Sequence, residues 1–117
     1  YELVNKFLSM CHVGVLPSSD DLARRMGTPV KLFNYMSVGL PIVANDIGGW
    51  TEIIKQEKVG IITNSDPKSF AEAIVNITNN PRSMQEYSIR SLELIKTKYN
   101  WDLCIQPLLY IYEKLVG

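Results

Sequence analysis

Gly27-Thr28-Pro29, followed by Val30 and Lys31, is the stretch of this chain best suited to holding an anion. Pro29 has its φ fixed near the helical value and no N–H to leave unpaired, so it suits the first position of a helix, with Thr28 before it as a cap. A helix amino-terminus presents unpaired N–H groups and the positive end of the helix dipole, which together suit a diphosphate. Gly27 lets the backbone come close, and Lys31 could aim a cation at phosphate. A second turn, Asn45-Asp46-Ile47-Gly48-Gly49, leads into a short helix carrying Glu52. On pattern alone the plain alternatives stay open: an ordinary helix start at Gly27-Thr28-Pro29, a solvated face for Lys31, and a cap or dipole compensation in a first turn for Glu52. His12 reads as a core histidine of a buried strand. The sequence offers no paired nucleophile and base, and no cluster of His, Cys, Asp or Glu at metal-ligand spacing.

The elements that must position these residues follow from periodicity. Tyr1 to Met10 has Leu3, Val4, Phe7 and Leu8 at helical spacing. His12 to Leu16 is a first strand, ended by the polar run Pro17-Ser18-Ser19-Asp20-Asp21. The segment from Pro17 to Thr28 is long for a strand-to-helix loop, where about 2 to 6 residues is usual, and such length is a functional signal. From Pro29, Leu32, Phe33 and Met36 give a helix its apolar face, and Gly39 can take the left-handed conformation that ends it. Ile42-Val43-Ala44 is unbroken apolar sequence, as in a strand covered on both faces. A short helix from about Trp50 to Gln56 precedes a third strand, Val59 to Thr63. Asp66-Pro67 caps a helix with Phe70, Ile74 and Ile77 on one face. Asn80-Pro81 opens a long helix to about Tyr99, and Asn100 caps a last one, in which Pro107 forces a kink or delays the start.

Helix and strand alternate, so the fold class is α/β: a Rossmann-like parallel sheet with helices on both faces, built from right-handed βαβ units and present as a partial domain of about three strands. In such sheets ligands bind beyond the carboxyl ends of the strands, where both candidate loops lie.

The run Lys31-Leu32-Phe33-Asn34-Tyr35-Met36-Ser37-Val38-Gly39-Leu40-Pro41-Ile42-Val43-Ala44, then Gly48-Gly49 and Glu52-Ile53-Ile54, resembles the donor-site segment of family 4 (group 1) glycosyltransferases with the GT-B fold. The usual pattern there is K-x-x-E-Y-M-x-x-G-x-P-V-V-A, then G-G, then E-I-I. Gly60-Ile61-Ile62, Asp66 with Phe70-Ala71, Ala73-Ile74, and Tyr99-Asn100-Trp101 to Tyr112-Glu113 continue the likeness. The resemblance implies that residues 1–117 are the carboxyl-terminal, donor-binding portion of a retaining, hexosyltransferase-type enzyme. Its upstream strands and amino-terminal acceptor domain would lie elsewhere, and the fragment alone would be inactive. The donor is then a nucleoside-diphosphate sugar, and neither metal nor cofactor is expected. Gly27, Thr28, Val30, Lys31 and Asn34 would bind it, with Gly48 and Gly49 lining the cleft; no catalytic residue is assigned.

Two positions depart from the family pattern. Asn34 stands where a glutamate accepts hydrogen bonds from the ribose hydroxyls, and Met26 where many members carry a second glutamate near the donor sugar. An amide acceptor is worth about 0.5 to 1.5 kcal/mol against about 1.5 to 3 for a charged one. The rival reading is therefore a non-catalytic scaffold that has kept the fold while losing the donor-site glutamates. Another doubly wound nucleotide binder would need a G-x-G-x-x-G fingerprint after the first strand, which Val13-Gly14-Val15 does not begin.

Composition narrows the partners. The 117 residues are enough for one domain at most, and 46% hydrophobic content can fill a core. Twelve basic and twelve acidic side chains cancel, so there is no basic footprint for nucleic acid. No apolar run suits a transmembrane segment. Cys11 and Cys104 lie far apart without C-x-x-C spacing, so a reduced, cytoplasmic setting is the default, with any attachment at a membrane periphery supplied by the absent domain. Asn76-Ile77-Thr78 is a glycosylation sequon placed in a helix and is discounted. The chain starts without Met inside what reads as a helix, and is expected to be part of something longer. If strands normally beside His12 to Leu16 are absent, that edge invites self-association or pairing with the missing part.

Overall fold

The computed structural model describes residues 2–117. In chain order its elements are α1 (Glu2–Leu8), β1 (Gly14–Leu16), α2 (Leu22–Met26), α3 (Val30–Ser37), β2 (Ile42–Asn45), α4 (Thr51–Glu57), β3 (Gly60–Thr63), α5 (Pro67–Thr78), α6 (Pro81–Thr97), α7 (Trp101–Cys104) and α8 (Gln106–Val116). The three strands are parallel in the order β1-β2-β3. Gly14 pairs with Ile42 and Leu16 with Ala44 on one side of β2; Val43 pairs with Ile61 and Asn45 with Thr63 on the other.

All four residues of β2 are buried, which explains its unbroken apolar run. Ile42 and Ala44 face Leu32 and Met36 of α3, Trp50, Ile54 of α4 and Leu94 of α6. Val43, on the opposite face, meets Ala73 and Ile77 of α5, with Phe70 and Ile74 beside them. Helices thus cover both faces of a partial sheet, and the α/β class read from the sequence holds. Gly39, at φ +72°, turns the chain out of α3 in the left-handed conformation that only glycine adopts freely. Asp66, Asn80 and Asn100 each accept a hydrogen bond from the backbone amide three residues on, as the sequence suggests.

Several sequence expectations need correction. The segment from Pro17 to Thr28 is not all loop, because Asp21 caps the short helix α2 within it, its Oδ1 accepting from the Arg24 amide at 3.0 Å. Pro29 is not the first helical residue; its ψ of 133° keeps it outside α3, so the helix starts at Val30, and no side chain caps it. Thr28 therefore does not serve as a cap. His12 is exposed and precedes the strand, which begins only at Gly14. Glu52 pairs with Lys55 at 3.1 Å and is not a cap. The last helix is two: α7 ends at Cys104, and Pro107 sits in the first turn of α8, where its missing N–H costs nothing. Cys11 and Cys104 are both free and exposed. Tyr1, included in the first expected helix, lies outside the described residues. Among the described residues no helix is long and apolar enough to cross a membrane.

Candidate functional site

The carboxyl ends of the strands carry three segments that close on one another. The segment after β1 is anchored at Ser18, whose N–H donates to Asn45 Oδ1 at 2.9 Å and whose carbonyl accepts from Asn45 Nδ2 at 2.7 Å. The same Nδ2 reaches the Ser65 hydroxyl, after β3, at 3.1 Å. Further along, the Trp50 indole N–H donates to the Arg24 carbonyl of α2 at 3.1 Å, while the ring itself is buried under the sheet. Gly48 lies against α2 so closely that a Cβ there would stand 2.6 Å from the Arg25 carbonyl oxygen. Hydrogen bonds at Ser18 and Arg24, together with backbone contact at Arg25, thus hold α2 against the turn that follows β2.

Two hollows flank α2. One, of about 230 Å³, is lined by Ser18, Ala23, Arg24, Gly27, Thr28, Pro29 and Trp50. The other, of about 530 Å³, is lined by Asp20, Arg25, Asp46, Ile47, Gly48, Gly49 and Glu52. A third depression, about 520 Å³ and mainly apolar, opens on the α5 face between Val15, Pro17, Phe70, Ala71 and Ile74.

The charges around the second hollow are paired. The Arg25 guanidinium donates to Asp20, with Nη2 at 2.8 Å, and holds that carboxyl below its ordinary range. Asp21 is lowered first by the Arg24 amide, then by the Ser19 hydroxyl and the Arg24 side chain. The Lys55 ammonium, 2.9 Å from Asp46, lowers that carboxyl, helped by the Thr51 hydroxyl at the same distance. Lys55 is raised in return by Asp46 and then Glu52. None of these three lowered carboxylates is kept protonated near neutral pH, so none can act as a general acid there. Carboxylates line the second hollow, whereas the first has none in its lining and borders the entry to α3.

A family model described as Glycosyl transferases group 1 matches residues 2–80. The chain belongs to that family. Among curated relatives of this group 1 glycosyltransferase chain, spore coat protein SA of Bacillus subtilis is 29% identical over 84 residues, covering 70% of this chain and 22% of that protein. Phosphatidyl-myo-inositol mannosyltransferase of Mycobacterium leprae is 24% identical over 85 residues, covering 72% and 22%. The amylovoran biosynthesis glycosyltransferase AmsK of Erwinia amylovora is 24% identical over 116 residues, covering 97% and 28%. The chain therefore spans about a quarter of the length of these relatives. Sucrose-phosphate synthase of Thermosynechococcus elongatus superposes with a TM-score of 0.84 at 22% identity, over 98% of this chain and 28% of that one, which shows the fold.

Within this glycosyltransferase framework, the structure gathers Gly27 and Thr28 at the first hollow and Gly48 and Gly49 at the second. Val30 and Lys31, both exposed, form the first turn of α3. Asn34 is half-buried one turn along, its carbonyl accepting from the Ser37 hydroxyl at 2.7 Å. Val30, Lys31 and Asn34 line neither hollow. Met26 is 80% exposed at the end of α2. Sequence reasoning missed Asn45, Trp50, Arg24 and Arg25. A tryptophan directly after Gly48-Gly49 in a polar turn was the available signal, since so large an apolar ring must be buried somewhere.

Proposed function

We propose that this chain is the donor-binding part of an enzyme that transfers a sugar, with retained anomeric configuration, from a nucleoside-diphosphate sugar to an acceptor held by another part of the protein. The observation that carries the reading is the uncapped amino end of α3, where Gly27, Thr28 and Pro29 border a hollow walled by Trp50. Backbone amides at such an end stabilise the charge that grows on a departing diphosphate, and being fixed in advance they need no rearrangement during the reaction. Val30 and Lys31 supply the first-turn amides, Asn34 the ribose acceptor, and Gly48 and Gly49 the far lip. Residues 1–117 then form the carboxyl-terminal portion of a cytoplasmic enzyme, and the unpaired edge of β1 is where the remainder of the sheet adds on. A non-catalytic scaffold is the second reading, favoured by Met26 and Asn34 in place of carboxylates.

Titration of the chain with uridine, guanosine and adenosine diphosphates, followed by amide chemical shifts, tests this. Perturbation of residues 27–34 and 48–49 by one of the three is the expected result. Binding by none would leave the scaffold reading in possession.

A further inference from the structure

We propose that Asn45 is a positioning residue for the donor site, its side-chain amide setting the conformation in which Gly27 and Thr28 meet the diphosphate. The proposal rests on the donor-site reading above. Regular pairing of β1 with β2 stops at Leu16 and Ala44, yet the chain is held for two residues more, because the Asn45 amide takes the place of backbone and grips both the N–H and the carbonyl of Ser18. The side chain is 1% exposed and its third hydrogen bond runs to Ser65, so one amide joins the carboxyl ends of all three strands. An amide is suited to this task because it presents an acceptor and two donors together; aspartate has the same shape but no donor when ionised. Between Ser18 and the Trp50 contact at Arg24 lie only a three-residue turn and the first two residues of α2, so the grip on Ser18 fixes where α2 starts and where Gly27 ends it. Because the side chain at position 45 is buried, a Ser18 carbonyl left facing a carboxylate there is costly and the segment moves to relieve it.

The experiment compares the wild-type chain, Asn45→Asp, Asn45→Ser and Ser65→Ala, well below their melting temperatures, in amide-detected titrations with the diphosphate that wild type binds best, from pH 5 to pH 8. Asn45→Asp is expected to weaken binding about tenfold at pH 8 relative to wild type. That deficit should shrink toward pH 5, because burial beside a carbonyl raises the aspartate pKa and the protonated acid regains a donor for Ser18. Asn45→Ser keeps one hydrogen bond at most, and is expected to lose about threefold with a ratio to wild type that does not change with pH. Ser65→Ala should stay within about twofold of wild type. A purely structural asparagine would lower the melting temperature and leave the affinity of the folded protein, and its pH profile, unmoved. Wild-type binding matched within twofold by both Asn45 variants overturns the positioning role alone; absence of wild-type binding overturns the donor-site reading and the positioning role with it. Should Asn45→Asp fail to fold, the Asn45→Ser affinity decides.

Discussion

Glu57, the last residue of α4, draws three partners from α6 and the residues just after it. Its Oε1 accepts from Lys98 Nζ at 2.6 Å and from the Tyr99 hydroxyl at 3.2 Å, and Arg90 Nη2 stands 3.5 Å from Oε2. The Lys98 hydrogen bond is the chief reason the Glu57 carboxyl titrates below its ordinary value of 4.5. A carboxylate whose folded pKa is depressed contributes stability that is complete above its unfolded pKa and disappears as the pH falls through the folded one. The chain should therefore lose this contribution below about pH 4.5. Glu57→Gln should cost about 1 kcal/mol at pH 7, since Lys98 and Arg90 are about half exposed and water screens the pair. The difference between variant and wild type should shrink as the pH falls below 4.5; denaturant melts at pH 7 and in acid would show it, and a constant difference would refute it. At the proposed donor site the corresponding change is Asn34→Glu. An ionised acceptor improves on the amide by roughly 1 kcal/mol, so diphosphate affinity should rise about fivefold in a shift titration. Equal or weaker binding, with no perturbation at residues 27–34, would remove Asn34 from the ribose.

The helix α2 shows what an element-scale reading gains from the structure. Leu22 and Met26 have helical spacing but are 76% and 80% exposed, so there is no buried face to make the periodicity informative. Apart from its Asp21 cap, the helix is held from outside, by the Trp50 indole and the close approach of Gly48, and contacts so distant in sequence leave no local pattern. Elements that bury themselves were legible. The apolar run of β2 signalled a strand covered on both faces, and Gly39 the end of α3, because in each case one local constraint fixes the outcome. Thr28-Pro29 misled because proline's φ suits the first helical position as well as the extended residue before it, and only ψ separates the two. The two glycine turns were legible as site candidates, whereas Asn45 was not, since a lone asparagine after a strand looks like any turn residue. Gly48→Ala should expose the clamp on α2. With a methyl group 2.6 Å from the Arg25 carbonyl, one of the two backbones must shift, at an expected cost of about 1 to 3 kcal/mol. Amide shifts should move at residues 20–28 as well as around 48; changes confined to residues 46–51 would contradict the clamp.

At the scale of the whole molecule, the packed sheet gives way to a tail that joins none of its cores. The chain extends 56 Å along its longest axis against 31 and 27 Å along the others. No residue of α7 or α8 is buried, and α8 makes its main contacts with α7, leaving Leu108, Leu109, Ile111, Tyr112 and Leu115 in water. An unpartnered helix of this length is marginal in water, because its stability normally comes from packing. Removing residues 106–117 should thus leave the melting temperature of the sheet unit within about 2 °C of the whole chain, a shift corresponding to well under 1 kcal/mol. A larger drop in a thermal melt would mean that the tail packs. Purified alone, the chain should also fail to turn over any nucleotide sugar, since transfer needs donor and acceptor fixed within about an ångström of one another. The exposed tail has a calorimetric consequence as well. Unfolding draws its heat capacity from apolar surface that becomes wet for the first time, and about half of the apolar surface of α8 is wet already. The whole chain should therefore absorb only a slightly larger heat-capacity increment on unfolding than the shortened one, although it is a full helix longer.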